Sequence, residues 1–171
     1  MSLPSDDIPR VQAAIAELEG ENERAVAVVG AAWLDELLAE LIATALRDDD
    51  ISRRLLDPEA QGPISTYASR VRVAYALELI GAQNMKDLLQ VGRIRNLFAH
   101  KVHRRSFDNE TVRKECQKLK TGLKVADQRS RETPRGQYVS TVAFLSLVLA
   151  NAIERRKRRT EENGSPPLPD A

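Results

Sequence analysis

An all-α, single-domain fold is what this sequence predicts, and three observations predict it. In 171 residues there are only eight Gly and eight Pro, and aromatics make up 4%, which disfavours a turn-rich β sandwich and favours long helices. Apolar residues recur at helical spacing in segment after segment, and no stretch of five or more residues alternates as a strand does. At 42% apolar and 30% charged, the chain is long enough to bury one core unaided by disulfides or metals.

The elements follow in order. Asp6 or Asp7 caps a first helix carrying Ile8, Val11, Ile15 and Leu18, with Pro9 in its first turn and Gly20 at its end. A second runs from about Asn22 to Arg47. Its stripe is Val26, Val29, Trp33, Leu37, Leu41 and Ala45, widened by Leu34, Leu38 and Ile42, as in a central packing helix. Asp48, Asp49 or Asp50 caps a short helix with Ile51, Leu55 and Leu56, and Pro58, Gly62 and Pro63 make a loop. Ser65 or Thr66 caps a fourth helix with Ala68, Val71, Tyr75 and Leu79 inward and Gly81 as its stop. A fifth covers about Asn84 to Ala99. Asp108 caps a sixth, with Val112, Cys116, Leu119 and Leu123. After a polar stretch containing Pro134 and Gly136, a last helix runs from Tyr138 to about Thr160. These six to eight helices form one domain over residues 1–162, followed by a Pro-rich disordered tail, 163–171.

Several classes of protein are disfavoured. Cys116 is the single cysteine, so no disulfide framework is expected, and its place on an apolar stripe predicts a buried, inert thiol. The short acidic N-terminus does not read as a signal peptide. The most apolar run, Val139–Ile153, is interrupted by Ser140, Thr141, Ser146 and Asn151 and falls short of the roughly 18 residues a spanning helix needs. A cytoplasmic protein with no membrane partner is expected. The apolar girth of that last helix, Val142 to Ile153, calls for burial on several sides, inside the domain and also in a homodimer.

The net charge of +1 hides a gradient. Residues 1–92 carry 8 basic and 16 acidic side chains, whereas residues 93–135 carry 13 basic and 5 acidic. A basic third points to nucleic acid or an acidic protein partner, or to neutralisation of the acidic part of the same fold. Its densest part is Arg93, Arg95, Asn96, His100, Lys101, His103, Arg104 and Arg105. At roughly 100° per residue, Asn96 and His100 share a helix face with Arg95 beside them. Arg95, Asn96 and His100 together suit a phosphate, and His100 suits proton transfer near neutral pH. The competing role is structural: Asn96 bonded to a neighbouring helix end, and His100 capping its own helix. His100 and His103 supply two metal ligands where a zinc site needs three or four, so neither a metal nor a cofactor is expected. The cationic run Arg155–Arg159 suits either phosphate contact or a helix C-terminus. No helix-turn-helix is recognisable.

Three stretches, Glu23–Leu38, Tyr67–Ile80 and Ile94–His100 followed by Ser106-Phe107-Asp108 and Cys116, resemble in order and spacing the mannitol operon repressor (MltR-like) family, over roughly residues 20–125. The resemblance implies an all-helical fold unlike the standard DNA-binding modules. It also implies a non-enzymatic role in bacterial transcriptional regulation, with action through a partner protein as one route. The string Arg95-Asn96-x3-His100 also resembles the R-x4-H motif of HEPN domains, which are helical, usually dimeric and often ribonucleases. That resemblance implies Arg95 as phosphate stabiliser, His100 as general acid/base and Asn96 as orienting residue in metal-independent RNA cleavage by a 2′-hydroxyl.

Overall fold

A computed structural model describes residues 22–99, 106–124 and 126–163. The expected first helix and the expected disordered tail beyond 163 lie outside them. The described residues form helices joined by turns and loops, with no strand among them: α1 Glu23–Ala43, α2 Asp50–Leu56, α3 Tyr67–Ala76, α4 Ala82–Ala99, α5 Glu110–Cys116, a 3-10 turn Gly122–Lys124, α6 Gln128–Glu132 and α7 Pro134–Asn163.

Local chemistry sets the helix ends. The Asn22 side chain accepts from Ala25 N at 3.0 Å and starts α1, satisfying one of the amides a helix start leaves open. This helix stops at Ala43, short of Arg47, because the Thr44 hydroxyl donates to Leu41 O and Ala45 N turns back to Ile42 O. Asp49 caps α2 and Thr66 caps α3, the latter in a reciprocal box with Ser69. The cap of α5 is Asn109, one residue after the expected Asp108. The stretch containing Pro134 and Gly136 is not a linker but the first turn of α7: Thr133 Oγ1 accepts from Gly136 N at 3.1 Å. Pro134 takes the first helical position, where its missing N–H is not needed.

The α3 helix does not run on to Gly81. It closes at Leu77 with Glu78 in the left-handed region (φ 57°), while Leu79 N bonds Ala74 O and Glu78 N bonds Tyr75 O. This is a Schellman closure with glutamate in the position that favours glycine, where a Cβ costs about 1–2 kcal/mol. Glu78→Gly is therefore expected to raise the unfolding free energy by about 1 kcal/mol. Urea denaturation checks it, and a loss of stability would show that the glutamate side chain contributes more than its backbone costs.

The core forms where α1 and α7 lie together, with α4 against both. The α3 helix packs on α1 and α4, and α5 packs on α4 and α7. The buried residues of α1 are Val26, Ala27, Gly30, Ala31, Leu34, Leu38, Leu41 and Ile42. Of these, Val26, Leu34, Leu38, Leu41 and Ile42 are as expected, but the face is rotated toward Ala27, Gly30 and Ala31, and Val29 is 45% exposed. Small side chains explain the rotation. A Cβ on Gly30 would stand 3.3 Å from Val142, so this is the side on which α7 can come closest. Likewise α3 buries Tyr67, Arg70, Val71 and Ala74, leaving Tyr75 exposed. Cys116 is buried as expected, and desolvation pushes its thiol up to about 12.

The α7 helix is longer than its apolar run suggests. Among the described residues it is the helix long and apolar enough to cross a membrane by length and composition. Its Tyr138, Val142, Leu145 and Leu149 are nevertheless enclosed in the core.

Candidate functional site

The two described cations of the basic motif, Arg93 and Arg95, lie on different sides of α4. Arg93 and Arg95 are separated by about 200° around the helix axis, and the structure sends them to different places. Arg95 is half-buried. Its positive charge acts on the hydroxyls of Tyr67 and Tyr138, which donate to Leu88 O at 3.0 Å and Ala27 O at 2.7 Å. Burial is what pushes both phenols up, and Arg95 opposes it. Arg95 Nε is buried with no hydrogen-bond partner, and Arg95 makes no ion pair among the described residues. Asn96 is exposed. His100, Lys101, His103, Arg104 and Arg105 lie outside the described residues, so the face that Asn96 was expected to share with His100 is not described. The two flanks of that segment are joined: the rings of Phe98 and Phe107 are 4.9 Å apart, and Phe107 stacks on Tyr138 at 5.4 Å. Phe107 N donates to Glu23 at the start of α1.

Arg93 faces a groove between α4 and the segment that follows α5. It is an open groove of about 330 Å³, and Lys86, Lys118 and Lys120 line it together with Arg93. Lys86 and Arg93 are seven residues apart, two helical turns, so they share one side of α4. The floor is rigid. Asp87, 1% exposed, accepts from Lys120 N at 2.9 Å, Thr121 N at 2.7 Å and Thr121 Oγ1 at 2.8 Å on one oxygen, and from Gln83 Nε2 at 3.0 Å on the other. Gln90 Nε2 donates to both the backbone oxygen and the carboxylate of Glu115, at 3.0 and 2.6 Å. The Gln90 bond, then Lys118 and the charge of Arg93, hold the Glu115 carboxyl below its usual range.

Lys118 is paired with Glu115 at 2.5 Å. No ion pair holds Lys86, Arg93 or Lys120 among the described residues. The arrangement offers unpaired cations, Lys86, Arg93 and Lys120, on a fixed polar floor, suited to binding an anion.

Of this groove, sequence reasoning singled out Arg93 and missed Lys86, Lys118, Lys120 and Asp87. One signal was present: Asp87 falls in register with the apolar positions Val91, Ile94 and Phe98 of α4. A carboxylate on a buried stripe has to find donors.

No protein-family model and no curated protein sequence matches the chain. Among solved structures, a chain of the X-ray structure of the MtlR–HPr complex from Escherichia coli is similar at a TM-score of 0.65 and 17% identity, over 82% of this chain and 98% of that one. The likeness shows an MtlR-like fold.

Proposed function

We propose that the chain is a cytoplasmic, non-enzymatic, MltR-like regulator of transcription that acts through a protein partner and as a homodimer. The observation that carries this reading is the MtlR-like fold over 82% of the chain, in a neighbour whose structure is a complex with another protein, HPr. The ordered sequence resemblance to the mannitol operon repressor family supports the regulatory part. Apolar side chains left open on α1, Val28 at 37% and Val29 at 45% exposure, support a further protein contact. Calorimetric titration with purified Escherichia coli HPr tests it, with light scattering for the oligomeric state. A saturable complex that survives nuclease treatment is expected. Absence of a complex, together with tight DNA binding that weakens steeply with salt, would replace partner action with direct phosphate contact.

A second reading, a metal-independent ribonuclease using Arg95, Asn96 and His100, draws on the buried Arg95 Nε that has no internal partner. RNA cleavage that is absent, or is equal in wild type and His100→Ala, would remove it.

A further inference from the structure

The groove between α4 and the segment after α5 gathers cations over a hydrogen-bonded floor. Four cations line it, Lys86, Arg93, Lys118 and Lys120. Two carboxylates, Asp87 and Glu115, lie at its floor and edge, and both are already bonded. The difference is two positive charges, the complement of a phosphate monoester, which carries about −1.5 to −2 at neutral pH.

Position matters as much as charge. Asp87 clamps the backbone of Lys120 and Thr121 to α4, so the segment that carries Lys120 is fixed beside Lys86 and Arg93 on the same groove before any ligand arrives. A backbone already in place adds no loop-ordering cost on binding. Arg93 brings a planar fork that matches two phosphate oxygens, and the lysines act as point charges.

Size bears on the kind of ligand the groove can hold. A volume of about 330 Å³ is at the lower end of small-molecule sites, larger than a bare phosphate requires. The amide groups of Gln83 and Gln90 and the side chain of Leu89 line the remainder, a mixture of polar and apolar wall that suits a short hydroxylated carbon chain. The described part of the basic stripe on α4 consists of Lys86 and Arg93. A nucleic-acid backbone, with a charge at every nucleotide, would have to reach past this groove, and the duplex titrant below tests it.

We propose that this groove binds a small phosphate monoester, with Arg93, Lys86 and Lys120 holding the phosphate. The inference is independent of whether the partner of this protein is HPr-like. Calorimetry on the full chain, with glycerol 3-phosphate, inorganic phosphate, glycerol and a short DNA duplex as separate titrants at matched ionic strength, tests it. Saturable binding of glycerol 3-phosphate is expected, tighter than inorganic phosphate and absent for glycerol. Arg93→Glu and Lys120→Glu, both at exposed positions, are expected to weaken it about tenfold or more, while Arg129→Glu on α6 leaves it unchanged. Circular dichroism confirms that each variant is folded. No saturable binding, or equal binding by wild type and the two groove variants, overturns the proposal. So does equal affinity for inorganic phosphate, or displacement of glycerol 3-phosphate by a more tightly bound duplex.

Discussion

Asp87→Ala is expected to lower the unfolding free energy by about 3–5 kcal/mol, a large share of the roughly 5–15 kcal/mol that stabilises a domain. The reason is what the substitution leaves behind. One carboxylate oxygen accepts from two backbone amides and a hydroxyl, and the other from Gln83. Alanine leaves those donors facing a void that is closed to water on the Thr121 side, where the residue is 4% exposed. The cost extends beyond α4. Thr121 leads directly into Gly122, which crosses α7 so closely that a Cβ there would stand 2.4 Å from the Thr141 backbone. Loosening the clamp therefore loosens the contact between the 3-10 turn and the central helix. Asp87→Asn separates shape from charge. Its single oxygen can keep the three-donor side while its amide meets the Gln83 side, so a smaller loss of about 1–2 kcal/mol is expected. Urea unfolding with an unchanged m-value is the measurement. A loss under about 1 kcal/mol for Asp87→Ala would show that water replaces the carboxylate and that the turn is not held by it.

The same residue shows where the sequence is legible and where it is not. Fold class follows from apolar spacing, because residues three and four apart recur as apolar in segment after segment and no stretch alternates as a strand does. The exact faces do not follow. Val29, Trp33 and Leu37 read as the centre of α1, yet the packing centre lies on Ala27, Gly30 and Ala31, whose small size matters more to α7 than hydrophobicity does. Helix ends were legible where a side-chain cap announces them, as at Asn22 and Thr66. They were not legible at Glu78, since no residue type signals a glutamate in left-handed backbone. The motif around Arg95 was visible, but its division between a buried face and a groove depends on which helices pack against α4. The partners of Arg93 come from Lys118 and Lys120, about 25 residues away, and no local pattern joins them. Charged residues on inward faces, Asp87 and Arg70, were passed over because periodicity counts only apolar positions.

Arg70→Met is expected to cost about 3–5 kcal/mol, and the cost should come from carbonyls more than from charge. Arg70, 7% exposed, donates from Nε to Ile64 O at 3.1 Å and from a terminal nitrogen to Leu56 O at 2.8 Å. It thereby joins the end of α2 and the following loop to α3. Its other terminal nitrogen lies 2.9 Å from Asp35 on α1, whose side chain is 31% exposed; that contact is off hydrogen-bond alignment. Asp35 Oδ1 is buried, but its carboxylate can turn toward its part-exposed side when the arginine is gone, whereas the two carbonyls must find new donors or open the loop. A double-mutant cycle decides between the two contributions. Asp35→Asn alone is expected to cost about 1 kcal/mol or less, and the coupling between Asp35→Asn and Arg70→Met to stay near 1 kcal/mol. Arg70→Lys should recover only part of the loss, because one ammonium cannot span both carbonyls and Asp35 as the guanidinium fork does. A coupling of about 3 kcal/mol or more would overturn this apportionment and make the ion pair to α1, not the carbonyl bonds to α2 and the loop, the main contribution of Arg70.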